Sequence, residues 1–117
     1  MGESYKDLIV WQRGIELCLE IYRLTADFPA AERFGLTVQL RRAAVSIASN
    51  IAEGYGRATT GEYRLFLGHA RGSNCELQTQ LILARKLSFA PEAAFDQAES
   101  LSADISRLLI AIMKNLP

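Results

Sequence analysis

Residues 41–54 read Arg41-Arg42-Ala43-Ala44-Val45-Ser46-Ile47-Ala48-Ser49-Asn50-Ile51-Ala52-Glu53-Gly54. The run is helical by period. An apolar line passes through Leu40, Ala43/Ala44, Ile47 and Ile51, beside a polar line through Arg42, Ser46, Ser49/Asn50 and Glu53. Alanine recurs at 44, 48 and 52, so a neighbouring backbone can come close. A helix with short hydrogen-bonding groups beside its apolar stripe is suited to meet other helices, so the stretch predicts helix-on-helix packing.

Upstream, residues 7–26 form a first helix with two apolar faces. One is Leu8, Trp11, Ile15, Cys18/Leu19 and Tyr22; the other is Val10, Gly14, Leu17, Ile21 and Leu24. That width predicts burial on two sides, one of them a subunit interface. Arg13/Glu16, Glu20/Arg23 and Arg23/Asp27 have the spacing of local ion pairs on a solvated face. Phe28-Pro29 stops this helix. Thr37 is the expected N-cap of the second helix, which runs to about Glu53 with Gly54 just past its end.

Downstream, Gly-Tyr-Gly-Arg-Ala-Thr-Thr-Gly-Glu (54–62) turns the chain, and Thr59 with Glu62 has capping-box spacing. No strand precedes these glycines and no Gly-Lys-Ser/Thr follows, so a phosphate loop is rejected. The third helix, about 61–87, has the core line Tyr63, Phe66/Leu67, Ala70, Ser73/Asn74, Leu77, Leu81 and Ala84. Asn74 is expected to face Ser46 or Asn50. The set Arg42, Ser46, Asn50, Glu53, Ser73 and Asn74 reads as a structural polar core that fixes helix register. Gly68 and Gly72 weaken the helix by about 1 kcal/mol each relative to alanine, which predicts a close backbone there. Pro91 opens a fourth helix to about Asn115, with a stripe through Ala94/Phe95, Ala98, Leu101, Ile105, Leu108 and Ile112. Four helices joined by short turns predict an all-α, antiparallel up-down bundle, a single domain over 1–117.

Basic and acidic residues balance at 13 each, but they are unevenly placed. Between Arg33 and Lys86 there are eight basic residues against three acidic, and both flanks are acidic. Arg64, Arg71 and Arg85 recur at heptad intervals, a stripe about 30 Å long at 1.5 Å per residue. None of the three has an acidic residue three or four positions away, and neither do Arg41, Arg42 or Lys86. Their counter-charge comes from another helix, another subunit or a polyanion. On the polyanion reading, Arg41, Arg57, Arg64, Arg71, Arg85 and Lys86 bind the phosphates of RNA or DNA.

The only histidine, His69, has no acidic helical neighbour, and no Cys-x-x-Cys or Glu-x-x-His occurs. No enzyme, metal, cofactor or small-molecule substrate is therefore expected. Among the aromatics (Trp11, Tyr22, Phe34, Tyr55, Tyr63, Phe66), which mostly fall on core stripes, Tyr55 alone reads as free to stack on a base. Cys18 and Cys75 read as buried thiols rather than a disulfide. No signal peptide is recognised and no apolar run approaches about 18 residues. No membrane contact and a cytoplasmic setting are expected.

The ordered runs Asp7-Leu8-x-Val10-Trp11-Gln12, Phe28-Pro29-x2-Glu32-x-Phe34-Gly35-Leu36-Thr37-x-Gln39-Leu40-Arg41-Arg42-Ala43, Ser46-Ile47-x2-Asn50-Ile51-Ala52-Glu53-Gly54 and Phe66-Leu67-x2-Ala70-x-Gly72-Ser73-x2-Glu76-Leu77 resemble a bacterial four-helix-bundle family. Its members are called S23 ribosomal proteins, or proteins encoded by intervening sequences of 23S rRNA genes. The match covers about residues 5–88. More distantly, the chain is similar to the accessory protein of diversity-generating retroelements. The resemblance implies a four-helix bundle assembled as a homopentamer, with a nucleic-acid-binding surface in the distant relative. Two functions follow as expectations: a homo-oligomer that binds structured RNA, or a protein-interaction scaffold in which the arginines make ion pairs.

Overall fold

Local chemistry fixes where two of the four helices start. The computed structural model describes residues 4–117. After a 3-10 turn at Tyr5–Asp7, α1 spans Ile9–Ala26. A second turn at Ala30–Glu32 leads to α2, Leu36–Tyr55. Helix α3 spans Thr60–Lys86, and a turn at Glu92–Phe95 leads into α4, Asp96–Asn115. Thr59 caps α3 as expected, its hydroxyl accepting from the Glu62 N–H at 3.1 Å. The expected cap of α2 is corrected. Thr37 lies buried inside the helix, and the Glu32 carboxylate accepts from the Leu36 N–H at 3.0 Å.

Successive helices run antiparallel, with α2 and α4 each lying between α1 and α3. The bundle measures 44 × 23 × 22 Å. Its centre is a continuous apolar core that includes Leu17, Ile21, Leu40, Ile47, Ile51, Leu67, Leu77, Leu81, Ile105 and Leu109. Each such side chain contributes about 1.5–3 kcal/mol through burial. Phe28, Phe89 and Phe95 close one end, with ring centroids 5.6 Å (Phe28–Phe89) and 6.3 Å (Phe28–Phe95) apart. Beside them, α3 ends with Ser88 in the left-handed region (φ 58°), and the Phe89 N–H bonds back to the Ala84 carbonyl at 3.0 Å.

Two small residues set helix spacing. Gly14 of α1 faces Ala48 of α2, and a Cβ at 14 would lie 3.4 Å from the Ala48 Cβ. Gly54 was expected beyond the end of α2. It lies instead inside the helix, buried, where a Cβ would meet the Phe66 Cβ at 2.7 Å. By contrast, a Cβ at Gly72 would meet nothing within 4 Å, and one at Gly68 only the Met113 Cε at 4.0 Å. The close backbone expected at these two glycines is not supplied within the protomer.

Several side chains depart from their expected surroundings. Asn74 faces Ser102 of α4, not Ser46 or Asn50. Phe34, expected in the core, is 82% exposed, and Cys75 is exposed as well. Phe34 sits between Glu32 and the start of α2, outside any helical face, so helical periodicity does not describe its surroundings.

Candidate functional site

Two of the heptad arginines, Arg64 and Arg85, are held at the two ends of α4. Arg85 reaches the start of α4. Its guanidinium pairs with Glu99 at 2.9 Å, with Asp96 at 3.3 Å and with Glu92. The hydrogen bonds it donates to the Glu92 and Glu99 carboxylates raise its pKa further above the usual arginine value. Arg64 donates to the carbonyls of Leu116 and Pro117 at 3.2 and 3.3 Å. Of the three sources open for the counter-charge of Arg85, another helix and the turn before it supply it. Its partners lie 7 to 14 residues away, across a turn, where helical spacing cannot register them.

The other basic residues differ in how firmly they are held. Arg41 donates to the Thr25 hydroxyl at 2.8 Å and stacks on the Tyr22 ring at 4.4 Å. Arg57 lies 3.6 Å from Glu53 and 4.7 Å from the centroid of Phe66. Arg42, Arg71 and Lys86 are exposed, and among the described residues none of them has an ion-pair partner.

The expected polar core resolves into two separate groups, one of three residues and one of two. Ser46 and Ser73 share a hydrogen bond at 2.9 Å between α2 and α3, and the Asn50 amide donates to the Ser46 hydroxyl and carbonyl. Asn74 and Ser102 form the second, fully buried pair. Arg42 and Glu53 do not belong to it. Both are exposed, on the outer side of α2. Ser102 and Gln80 were not singled out from sequence, because each is one polar group on an otherwise apolar stripe. Gln80 is 5% exposed and its side-chain amide donates to the side-chain Oε1 of Gln39 at 3.5 Å, while its own Oε1 has no partner. Gln39, Arg42, Ser46 and Glu76 line a groove of about 390 Å³ nearby.

Little in this arrangement points to chemistry. His69 is exposed and meets the Phe66 ring edge-on, with centroids 5.6 Å apart. Among the described residues no group of His, Cys, Asp and Glu could hold a metal ion. Tyr55, expected to be free for base stacking, packs edge-on against Tyr63 at 5.9 Å. The Tyr63 hydroxyl is raised above its ordinary pKa by burial and by Tyr55. No helix among the described residues is long and apolar enough to cross a membrane.

The second apolar face of α1 behaves differently from the first. Val10, Gly14, Leu17, Ile21 and Leu24 are buried in the protomer. Ile15 (36%), Leu19 (55%) and Tyr22 (44%) are exposed, and across the seam so are Val38 (38%) and Val45 (44%) of α2. Tyr22, Val38 and Val45 share one groove of about 580 Å³ with Arg41 and Arg42. Five large apolar side chains are thus gathered on one face of the bundle.

Residues 6–111 match the family model described as "23S rRNA-intervening sequence protein". No curated protein matches the chain. Among solved structures, the bundle is similar to a Bacteroides thetaiotaomicron protein described as of unknown function, from the S23 ribosomal protein family. The TM-score is 0.82 at 22% identity, over 92% of this chain and 100% of the other. At that identity the likeness bears on fold alone.

Proposed function

The chain belongs to the 23S rRNA-intervening sequence protein family, and from that premise we propose that it works as a non-enzymatic homo-oligomeric scaffold. The observation that carries this reading is the exposed apolar face shared by α1 and α2. Its five side chains are good anchors, since each would lose water-exposed apolar area on assembly at about 25 cal/mol per Å². The face runs along the long side of the bundle, so copies would pack side by side. A closed ring, five-fold by the family resemblance, satisfies every copy.

Native mass and sedimentation velocity test this. Wild-type protein should be oligomeric at micromolar concentration, and Val45→Glu should be monomeric with unchanged helical circular dichroism. A wild-type protein that stays monomeric at about 100 µM, where an interface of even modest size is occupied, would end the scaffold reading.

A second reading has its own support. Arg71 and Lys86 are exposed and have no ion-pair partner among the described residues, and the exposed Arg57–Glu53 contact is a weak surface pair. An oligomer repeats these cations at every copy, which suits a phosphate backbone. If the assembly binds structured RNA, affinity should fall steeply between ~50 and ~200 mM salt. Arg71→Glu with Lys86→Glu should then weaken binding without changing the native mass. Salt-independent or absent binding by an intact oligomer leaves the scaffold reading alone.

A further inference from the structure

Helices α2 and α3 are linked by two side-chain hydrogen bonds that stand seven residues apart on each helix. Ser46 bonds to Ser73 at 2.9 Å, and the Gln39 Oε1 accepts from the Gln80 amide at 3.5 Å. Seven residues make about 10.5 Å of helix. Between the two links lies the groove of about 390 Å³ lined by Gln39, Arg42, Ala43, Ser46 and Glu76. Ala43 is nearly buried and carries only a methyl group, so it leaves this space open. Arg42 comes from α2 and Glu76 from α3. They carry opposite charges and share one groove, yet among the described residues neither has an ion-pair partner. One further group is unsatisfied. Gln80, about one turn from Glu76 on α3, is buried, and its Oε1 has no partner. A buried acceptor without a donor is unfavourable.

We propose that this groove binds a free amino acid, held through its ammonium and its carboxylate together. The chemistry of each wall sets the orientation. Glu76 and Gln80 sit four residues apart on one side of α3 and both offer acceptors, and an ammonium brings three donors, enough for both. Arg42 offers only donors from α2, and takes a carboxylate in a charge-assisted pair. A simple anion would suit Arg42 but face Glu76, and a simple cation would do the reverse. A zwitterion answers both charges at once and supplies the donor that Gln80 lacks. The groove is also within the size range of small-molecule sites. The chain carries no catalytic or metal motif, but binding needs neither. All the groove residues belong to one protomer, so the proposal is independent of the scaffold reading.

Saturation-transfer NMR on the full chain tests this, with each of the twenty standard amino acids as probe and with acetate and methylammonium as the two half-ligands. Salt is kept at ~50 mM, where exposed charges are little screened. At least one amino acid should bind saturably, with a Kd on the order of 1 mM or tighter, and each half-ligand should bind about tenfold more weakly or worse. Glu76→Gln and Arg42→Met, both at exposed positions, should each weaken the binding by about tenfold or more with unchanged circular dichroism. No saturable binding by any of the twenty would overturn the proposal. So would binding that survives both substitutions, or half-ligands that bind as tightly as the amino acid. A Glu76→Gln variant of altered native mass would place the groove between copies of the chain and overturn it too. Strong coupling between Arg42 and Glu76 in a ligand-free stability cycle would do the same, because the two charges would then satisfy each other.

Discussion

Asn74 of α3 and Ser102 of α4 satisfy each other. The Asn74 side-chain amide donates to the Ser102 backbone carbonyl at 3.0 Å, and the Ser102 hydroxyl donates to the Asn74 side-chain Oδ1 at 2.7 Å, with both residues essentially buried. The pair matches only one alignment of α3 against α4. Removing one partner strands the other in a dry core. Asn74→Ala should destabilise the protein by about 2–3 kcal/mol, and Ser102→Ala by about 1–2 kcal/mol. Asn74→Leu combined with Ser102→Ala should recover most of that loss. Urea unfolding of the double-mutant cycle checks it, and simple additivity would show that the two groups do not depend on each other.

Gly54 allows α2 and α3 their closest approach near Phe66. Gly54→Ala should cost about 1–3 kcal/mol, because the new methyl must push two helix backbones apart. Gly61→Ala, where a Cβ meets nothing within 4 Å, should stabilise by roughly 0.4–1 kcal/mol. Denaturant midpoints moving in opposite directions would confirm that the two glycines have different reasons to be there.

Ser88 holds the left-handed conformation that ends α3. A side chain there is strained by roughly 1 kcal/mol relative to glycine. Ser88→Gly should raise stability by about that amount and leave oligomeric mass untouched. A loss of stability would mean that the Ser88 side chain offsets its own strain.

The two thiols should differ in reactivity. Burial pushes the Cys18 thiol above its ordinary pKa, so less of it is thiolate at pH 8, whereas Cys75 is exposed. In the Val45→Glu variant, iodoacetamide should modify Cys75 first and Cys18 more slowly by about an order of magnitude. The Cys18 rate should still be climbing as pH rises through 9. Equal rates under native conditions, read by mass spectrometry, would place Cys18 outside its packed site.

Much of the bundle was legible from period alone. Repeating apolar positions fixed the four helices, and Thr59 with Glu62 fixed the start of α3, because cap and partner are three residues apart. The cap of α2 was not legible, since Glu32 lies outside the helix and acts through a turn. Which of the three sources serves Arg85 was not legible for a related reason: Glu92, Asp96 and Glu99 reach it only after the chain has reversed. Ser46, Ser73 and Asn74 were read as polar groups between helices, and each hydrogen-bonds to a neighbouring helix. Which helix each one faces depends on rotation about α3, and that is settled by packing. The exposed half of α1 was visible as excess apolar width, but sequence did not say which of its two faces stays outside.

The long helix α3 also acts as a gauge for its neighbour. Arg64 and Arg85, 21 residues apart, span about 31 Å and grip opposite ends of α4. A one-residue insertion between them would turn one grip by about 100° and advance it by 1.5 Å, so both could not be kept. The length of the 64–85 segment is thus constrained as tightly as its composition. The 56–59 turn, held only by the exposed contacts of Arg57 with Glu53 and Phe66 and by the Thr59 cap, is where this chain can absorb a change in length.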